Sequence, residues 1–184
     1  NLNRNQAELS ALRAQINPHF LFNAMNTLYA TAIEENAEKT SHGIQQLSDM
    51  MRFMMHENNQ EQIDVQQEVA YLRNYIDLQR LRLSESDKLE LKVDLDDALC
   101  LRSIAPMLLI PFVENAFKHG ISLRNQSWIY IKLYCQQEQL YFSVFNSIHP
   151  RHEEDPEKYS SGIGLVNVQK RLELLYPKTH DLRI

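Results

Sequence analysis

The sequence predicts an α+β protein: an N-terminal helical hairpin that pairs with a second copy as a dimeric four-helix bundle, followed by an α/β sandwich. Three observations predict it. Apolar residues recur at helical spacing through residues 1–83, the period then changes to two, and alternating and helical runs intermix to the end of the chain. The change falls at Ser84–Lys88, which divides the chain into a helical region, 1–84, and a second domain, 85–184.

Leu2, Leu9, Leu12, Ile16 and Phe20 open the helical region at spacings of three, four and seven. A second helix is predicted over 40–56, with Ile44, Leu47, Met50, Met51, Met54 and Met55 on one side. A third is predicted over 65–83, carrying Val69, Leu72, Ile76, Leu78 and Leu81, with Asp64 as its N-cap. A short loop at 34–39 folds the long amphipathic helices into a hairpin, whose apolar stripe is buried only when a second hairpin covers it.

Beyond residue 88, Leu89, Leu91, Val93 and Leu95 alternate with Glu90, Lys92 and Asp94, as in a half-buried strand. A helix is expected from Pro106, proline suiting a first helical position. Ile129–Cys135 and Leu140–Val144 alternate again about the polar turn Gln136–Gln139, which predicts a β-hairpin. A last helix is expected over 165–176, and 182–184 reads as the start of another strand.

Composition narrows the function classes. A net charge of −5 and 23% charged residues disfavour nucleic acid or an anionic membrane as the main partner, since both select basic patches. The two cysteines, Cys100 and Cys135, are far apart in sequence and form no CxxC, so neither a zinc site nor a disulfide framework is expected, and a reducing cytoplasm is the natural setting. No apolar run approaches the ~20 residues that span a bilayer; the longest, 106–117, is interrupted by Pro111 and Glu114. The chain begins at Asn1 and reads as a piece of a longer protein, with any membrane sensor upstream.

Three stretches carry chemistry. In Gln15-Ile16-Asn17-Pro18-His19-Phe20-Leu21-Phe22-Asn23, helical spacing places Gln15, His19 and Asn23 on one face, beside a proline that kinks or starts the helix. Such an imidazole is either a nucleophile or an ordinary surface histidine near a capped helix start. In Pro106–Gly120, Leu108, Leu109, Phe112, Val113, Ala116 and Phe117 form a core stripe, with Asn115, Lys118 and His119 at its margin. Asn115 offers a hard oxygen suited to Mg²⁺ and Lys118 a point charge for phosphate; alternatively Glu114 and Lys118 are a surface pair and Asn115 is merely exposed. In Gly162-Ile163-Gly164-Leu165, glycines before a helix let backbone N–H groups approach an anion, although alone such a pair usually just makes a turn.

Together, in order and spacing, these stretches resemble the LytS-type sensor histidine kinases, whose ATP-binding domain belongs to the gyrase, Hsp90, histidine kinase and MutL (GHKL) superfamily. The resemblance covers nearly the whole chain. It implies that Asn17-Pro18-His19-Phe20-Leu21-Phe22-Asn23 is the phosphoacceptor box, with His19 phosphorylated. It implies that Pro111–Gly120 is the N box, with Asn115 ligating Mg²⁺ and Lys118 and His119 bordering ATP. Gly162, Ile163, Gly164 and Leu165, followed by Asn167 and Arg171-Leu172, resemble the glycine box that closes over the phosphates, and 148–161, glycine-free and acidic, the ATP lid. One departure concerns Asn146: the family usually has Asp-x-Gly here, and this chain has Asn146-Ser147-Ile148. A neutral hydrogen bond to adenine contributes about 1 kcal/mol against roughly 1.5–3 for a charged one, so weak ATP affinity is expected.

The implied activity is ATP-dependent autophosphorylation of His19 in a homodimer, followed by transfer to a response-regulator aspartate, in the cytoplasmic portion of an inner-membrane sensor kinase. No nucleic acid is implied, and the membrane enters only through the upstream sensor. The resemblance also implies that the family's chain continues past Ile184 through a further strand, so that the ATP-binding domain is C-terminally truncated. The alternative is a catalytically weakened dimeric signalling scaffold that binds nucleotide poorly or not at all; Asn146 favours it, whereas His19, Asn115 and Gly162–Gly164 oppose it.

Overall fold

A computed structural model describes residues 18–56, 60–83, 88–98, 100–122, 125–149 and 163–184. Their architecture is α+β. Helices α1 (Pro18–Glu34), α2 (Glu38–His56) and α3 (Val65–Leu83) come first. The α1–α2 turn is a Schellman motif: Asn36 takes φ 54, Asn36 N–H donates to Ile33 O at 3.0 Å, and Ala37 N–H donates to Ala32 O at 2.8 Å. Asparagine tolerates the left-handed conformation, which is why this turn works without glycine. At the start of α3, Gln67 reaches back to accept the Asp64 N–H at 3.1 Å, one half of a capping box.

The helices pack in series, α1 on α2 and α2 on α3. Gly43 permits the second contact, because a Cβ there would lie 2.9 Å from Leu81 Cδ1. Gln46 Nε2 donates across the same interface to Asp77 at 3.3 Å.

Strands β1 (Ile63–Asp64) and β3 (Ser103–Ile104) pair antiparallel as a small clasp. The main sheet has the order β2-β4-β5, with β2 (Leu89–Leu95) parallel to β4 (Ser127–Gln136) and β4 antiparallel to β5 (Gln139–Asn146). The parallel pair requires a crossover, and helix α4 (Ile110–His119) lies within it. The β4–β5 hairpin turns where the sequence predicts: Gln136 pairs with Gln139, and Gln137 and Glu138 between them both take positive φ, 49 and 64, as a two-residue primed turn demands even without glycine. Helix α5 (Ile163–Leu175) follows, and 182–184 forms no strand.

Ile129, Ile131 and Leu133 of β4 point into one core with Val69, Leu72 and Ile76 of α3, Val113, Ala116 and Phe117 of α4, and Val168 of α5. Helix α3 therefore belongs to the packing of the sheet as well as to the helical series. The opposite sheet face is an aromatic and cationic ladder, with Trp128 stacked on Tyr130, Tyr134 on Tyr141, and Lys92 over Tyr130 at 4.9 Å.

Two further sequence expectations are corrected. Cys100 and Cys135 form a disulfide, with Cα atoms 5.3 Å apart. Their separation of 35 residues is bridged because β2 and β4 run parallel and adjacent, and Asp96 N–H continues the ladder to Leu133 O at 2.9 Å. The helix expected from Pro106 begins only at Ile110. Residues 105–109 instead form an irregular turn in which Met107 takes φ 57, and distant side chains occupy the backbone groups that a helix would use.

Candidate functional site

Helix α4 is built by its pattern: Ile110, Val113, Ala116 and Phe117 are buried, Asn115 and His119 half-buried, and Glu114 and Lys118 exposed. It packs against β5 on one side and α5 on the other. Its C-terminus meets the end of β5. Gly120 has φ −86, so glycine is required there for space rather than for a left-handed backbone. A Cβ would stand 2.5 Å from Ala116 O and 2.7 Å from Asn146 Cβ. Gly120 and Asn146 are thus brought into contact.

Asn146 Nδ2 donates to Ser147 O at 2.7 Å, which fixes the amide and presents Oδ1 as an acceptor. A serine–histidine node, which the motif reading did not single out, holds this corner. Ser147 Oγ accepts the Trp128 N–H at 3.1 Å and donates to Gly120 O at 2.7 Å. Ser127 Oγ accepts the Ser122 N–H at 2.9 Å and donates to Asn125 O at 3.2 Å. With both hydroxyl protons engaged, His149 Nε2, at 3.0 Å from Ser127 Oγ and 3.1 Å from Ser147 Oγ, carries a proton shared between them. Ser127 is fully buried and its hydroxyl saturated, so the pair staples loops and is no nucleophilic dyad. No spacing in the sequence announces this node.

At the other end of α4, Gly164 lies in the first turn of α5, where a Cβ would come 4.0 Å from Pro111 Cβ. Leu165 is half-buried and Val168 anchors the helix in the core. Ile163 begins α5, whose first N–H groups lack intrahelical partners. Gly162 and the predicted lid lie outside the described residues, apart from Ile148 and His149 at the lid's base.

Although Glu114 is exposed as a residue, desolvation of its carboxyl raises it above its ordinary range. Tyr71 is pushed up to about 12, first by burial and then by the Glu114 and Glu68 charges, and Tyr75 is raised by burial and Glu114. Glu114 therefore acts on the α3 tyrosines. Among the described residues no group of three or more His, Cys, Asp or Glu forms. Asn115 offers one amide oxygen, a donor set that suits an ion completing its shell with water and phosphate.

His19 is exposed in the first turn of α1. Its Nδ1 lies 3.1 Å from Asn23 Nδ2. The contact has two chemical forms: the amide donates to Nδ1, or, with the amide turned, Nδ1–H donates to the oxygen and the basic lone pair sits on Nε2. Gln15 and Asn17 lie outside the described residues. Helix α1 packs mainly on α2, so His19 and Asn115 are carried by different parts of the fold. No helix of the described residues is long and apolar enough to cross a membrane.

Known proteins resemble this sequence. A family model described as "Histidine kinase" matches residues 7–87. The Sensor histidine kinase YpdA of Escherichia coli (strain K12) is 34% identical over 188 aligned residues, covering 97% of this chain and 32% of the relative. The chain belongs to the LytS-type sensor histidine kinases. Sensor protein LytS of Streptococcus mutans is 32% identical over 97% of the chain and 32% of the relative, and that of Bacillus cereus 31% identical over 97% and 31%. The chain thus spans about a third of the length of the kinases it matches.

Proposed function

We propose that this chain is the cytoplasmic kinase core of an inner-membrane sensor: an ATP-dependent histidine autokinase, phosphorylated on His19, that works as a homodimer and passes phosphate to a response-regulator aspartate. In this reading residues 1–84 supply dimerisation and the phosphoacceptor, and 85–184 form the GHKL ATP-binding domain. The observation that carries it is the convergence of Asn146 and Gly120 at one end of α4 with Gly164 at the other, around a helix that bears Asn115.

Asn146 Oδ1 accepts from the adenine amino group, its amide already oriented by Ser147 O. His119, Ile163 and Leu165 border the nucleotide. Lys118 and the backbone N–H groups from Gly162 to Gly164 draw charge from the phosphate oxygens. Magnesium held through Asn115 would neutralise the developing charge on those oxygens. His19 Nε2, with the proton on Nδ1 and Asn23 turned to accept it, comes within about 3–3.5 Å of the γ-phosphorus, in line with the leaving oxygen. A nitrogen–phosphorus bond forms as the bond to the β–γ bridging oxygen breaks, and ADP leaves. Because α1 packs on α2, the helical pair must move relative to α4 for this step.

Phe20, Leu28, Ile33, Leu47 and Met54 on α1 and α2 are exposed large apolar side chains, which supports their burial in a four-helix bundle with a second copy. The test is incubation with γ-labelled ATP and Mg²⁺, alongside His19→Gln and Asn115→Ala. Acid-labile, alkali-stable label on the wild type and none on either variant is the expected result. An unlabelled wild type, or label surviving in His19→Gln, overturns the assignment.

A further inference from the structure

Residues 105–109, the turn that leads into α4, have their backbone held by side chains from three directions. Glu68, fully buried on α3, accepts the Met107 N–H with one carboxylate oxygen at 2.8 Å and the Leu109 N–H with the other at 2.9 Å. Arg171 on α5 donates to Pro106 O at 2.7 Å and to Met107 O at 3.2 Å. Tyr176 Oη, just past α5, accepts the Ala105 N–H at 2.7 Å. Between these grips Met107 sits at φ 57, a conformation that an unbranched side chain adopts only when its surroundings impose it. Leu109, the N-cap of α4, makes no side-chain cap bond of its own, so the Glu68 carboxylate fixes where the helix begins.

We propose that Glu68 and Arg171 are positioning residues for the nucleotide site: between them they hold 105–109 in its strained turn and so set α4, with Asn115, against the first turn of α5. The inference rests on the proposed function and adds to it the groups that pre-organise the magnesium end of the site. The carboxylate cannot be replaced by its amide. Both oxygens face N–H donors, and glutamine turns one of them into a third donor pointed at a donor. Arg171 reaches two carbonyls with one fork, which lysine lacks.

The experiment uses the chain as it stands and a fluorescent ATP analogue, titrated with Mg²⁺ and with EDTA, for wild type, Glu68→Gln, Arg171→Lys and Glu68→Gln/Met107→Gly. Hydrogen exchange of the nucleotide-free proteins is followed over residues 105–119 and over α2. In the wild type Mg²⁺ tightens binding. Glu68→Gln is expected to reduce that tightening about tenfold while affinity in EDTA changes less than twofold, and to speed exchange at 107 and 109 but not in α2. Arg171→Lys acts in the same direction. Glycine at 107 removes the left-handed penalty, so the double variant recovers part of the magnesium effect, which a merely structural lesion does not do. Full tightening in Glu68→Gln, an equal loss with and without Mg²⁺, or no recovery in the double variant overturns the proposal while leaving the kinase reading intact. A wild type indifferent to Mg²⁺ sinks the magnesium role of Asn115 and the positioning role together. The exchange data then decide separately whether Glu68 holds the turn.

Discussion

Reducing the Cys100–Cys135 bond is a perturbation whose size follows from the topology. The crosslink closes a segment of 35 residues that contains the whole of α4 and β3. Loop-closure entropy for such a segment corresponds to about 4 kcal/mol of stability at 25 °C. For a domain of this length, each kcal/mol moves the melting temperature by roughly 2–4 °C, so reduction is expected to lower it by on the order of 10 °C. Packing offsets little of this, since the two thiols would occupy the same core and behave as small apolar groups. The assay is thermal unfolding followed by circular dichroism with and without a dithiol reductant, paired with thiol titration under native and denaturing conditions. Cys100→Ala/Cys135→Ala is the control, and it must melt at one temperature whatever the reductant. Two titratable thiols in unreduced, denatured protein, or an unchanged melting temperature after complete reduction, would refute the reasoning.

Gly120→Ala must push Asn146 aside or bend the end of α4, and is expected to cost about 1–3 kcal/mol as overpacking and to weaken ATP-analogue binding with or without Mg²⁺, measured by melting and titration. Two carboxylates give stability opposite slopes with pH. The Arg73 guanidinium holds Asp97 below its ordinary value of 3.8, so that carboxylate supports the fold above 3.8 and the support is lost as pH falls through its depressed value. Burial holds Glu68 above 4.5, so its ionisation opposes folding, and that cost fades as pH falls through the raised value. Urea midpoints across pH should lose their acid-side slope in Asp97→Asn, and in Glu68→Gln the opposite slope that sets in above 4.5. Dilution in analytical ultracentrifugation should show a dimer giving way to monomer, and Leu28→Glu should shift that equilibrium to monomer at every concentration; a monomer throughout in the wild type counts against the bundle.

Periodicity was enough to place α3 at Val65–Leu83 and β2 at Leu89–Leu95, because in both the apolar spacing is unbroken and the flanks are polar. It failed at Pro106–Leu109, where a proline and an apolar run have the look of a helix start. The competing bonds come from Glu68 and Arg171, 39 and 64 residues away from Met107. Sequence distance also hid the disulfide, since nothing local says that two strands will lie parallel and in register. The hairpin turn at Gln136–Gln139 was legible as a polar run between two alternating segments, although Gln137 and Glu138 are not residues that usually mark positive φ. Around α4, the residue types were legible as motifs, but the approach of Gly120 to Asn146 and the Ser127–Ser147–His149 staple depend on β5 returning beside the helix.

Helix α3 is gripped along two flanks, embedded on one side in the core beneath the sheet and tied on the other to α2 by Gly43, Leu81, Gln46 and Asp77. To roll about its own axis, α3 would have to break both sets of contacts. Glu68 sits in its first turn, so the carboxylate that holds Met107 and Leu109 is carried by a helix fixed on two sides.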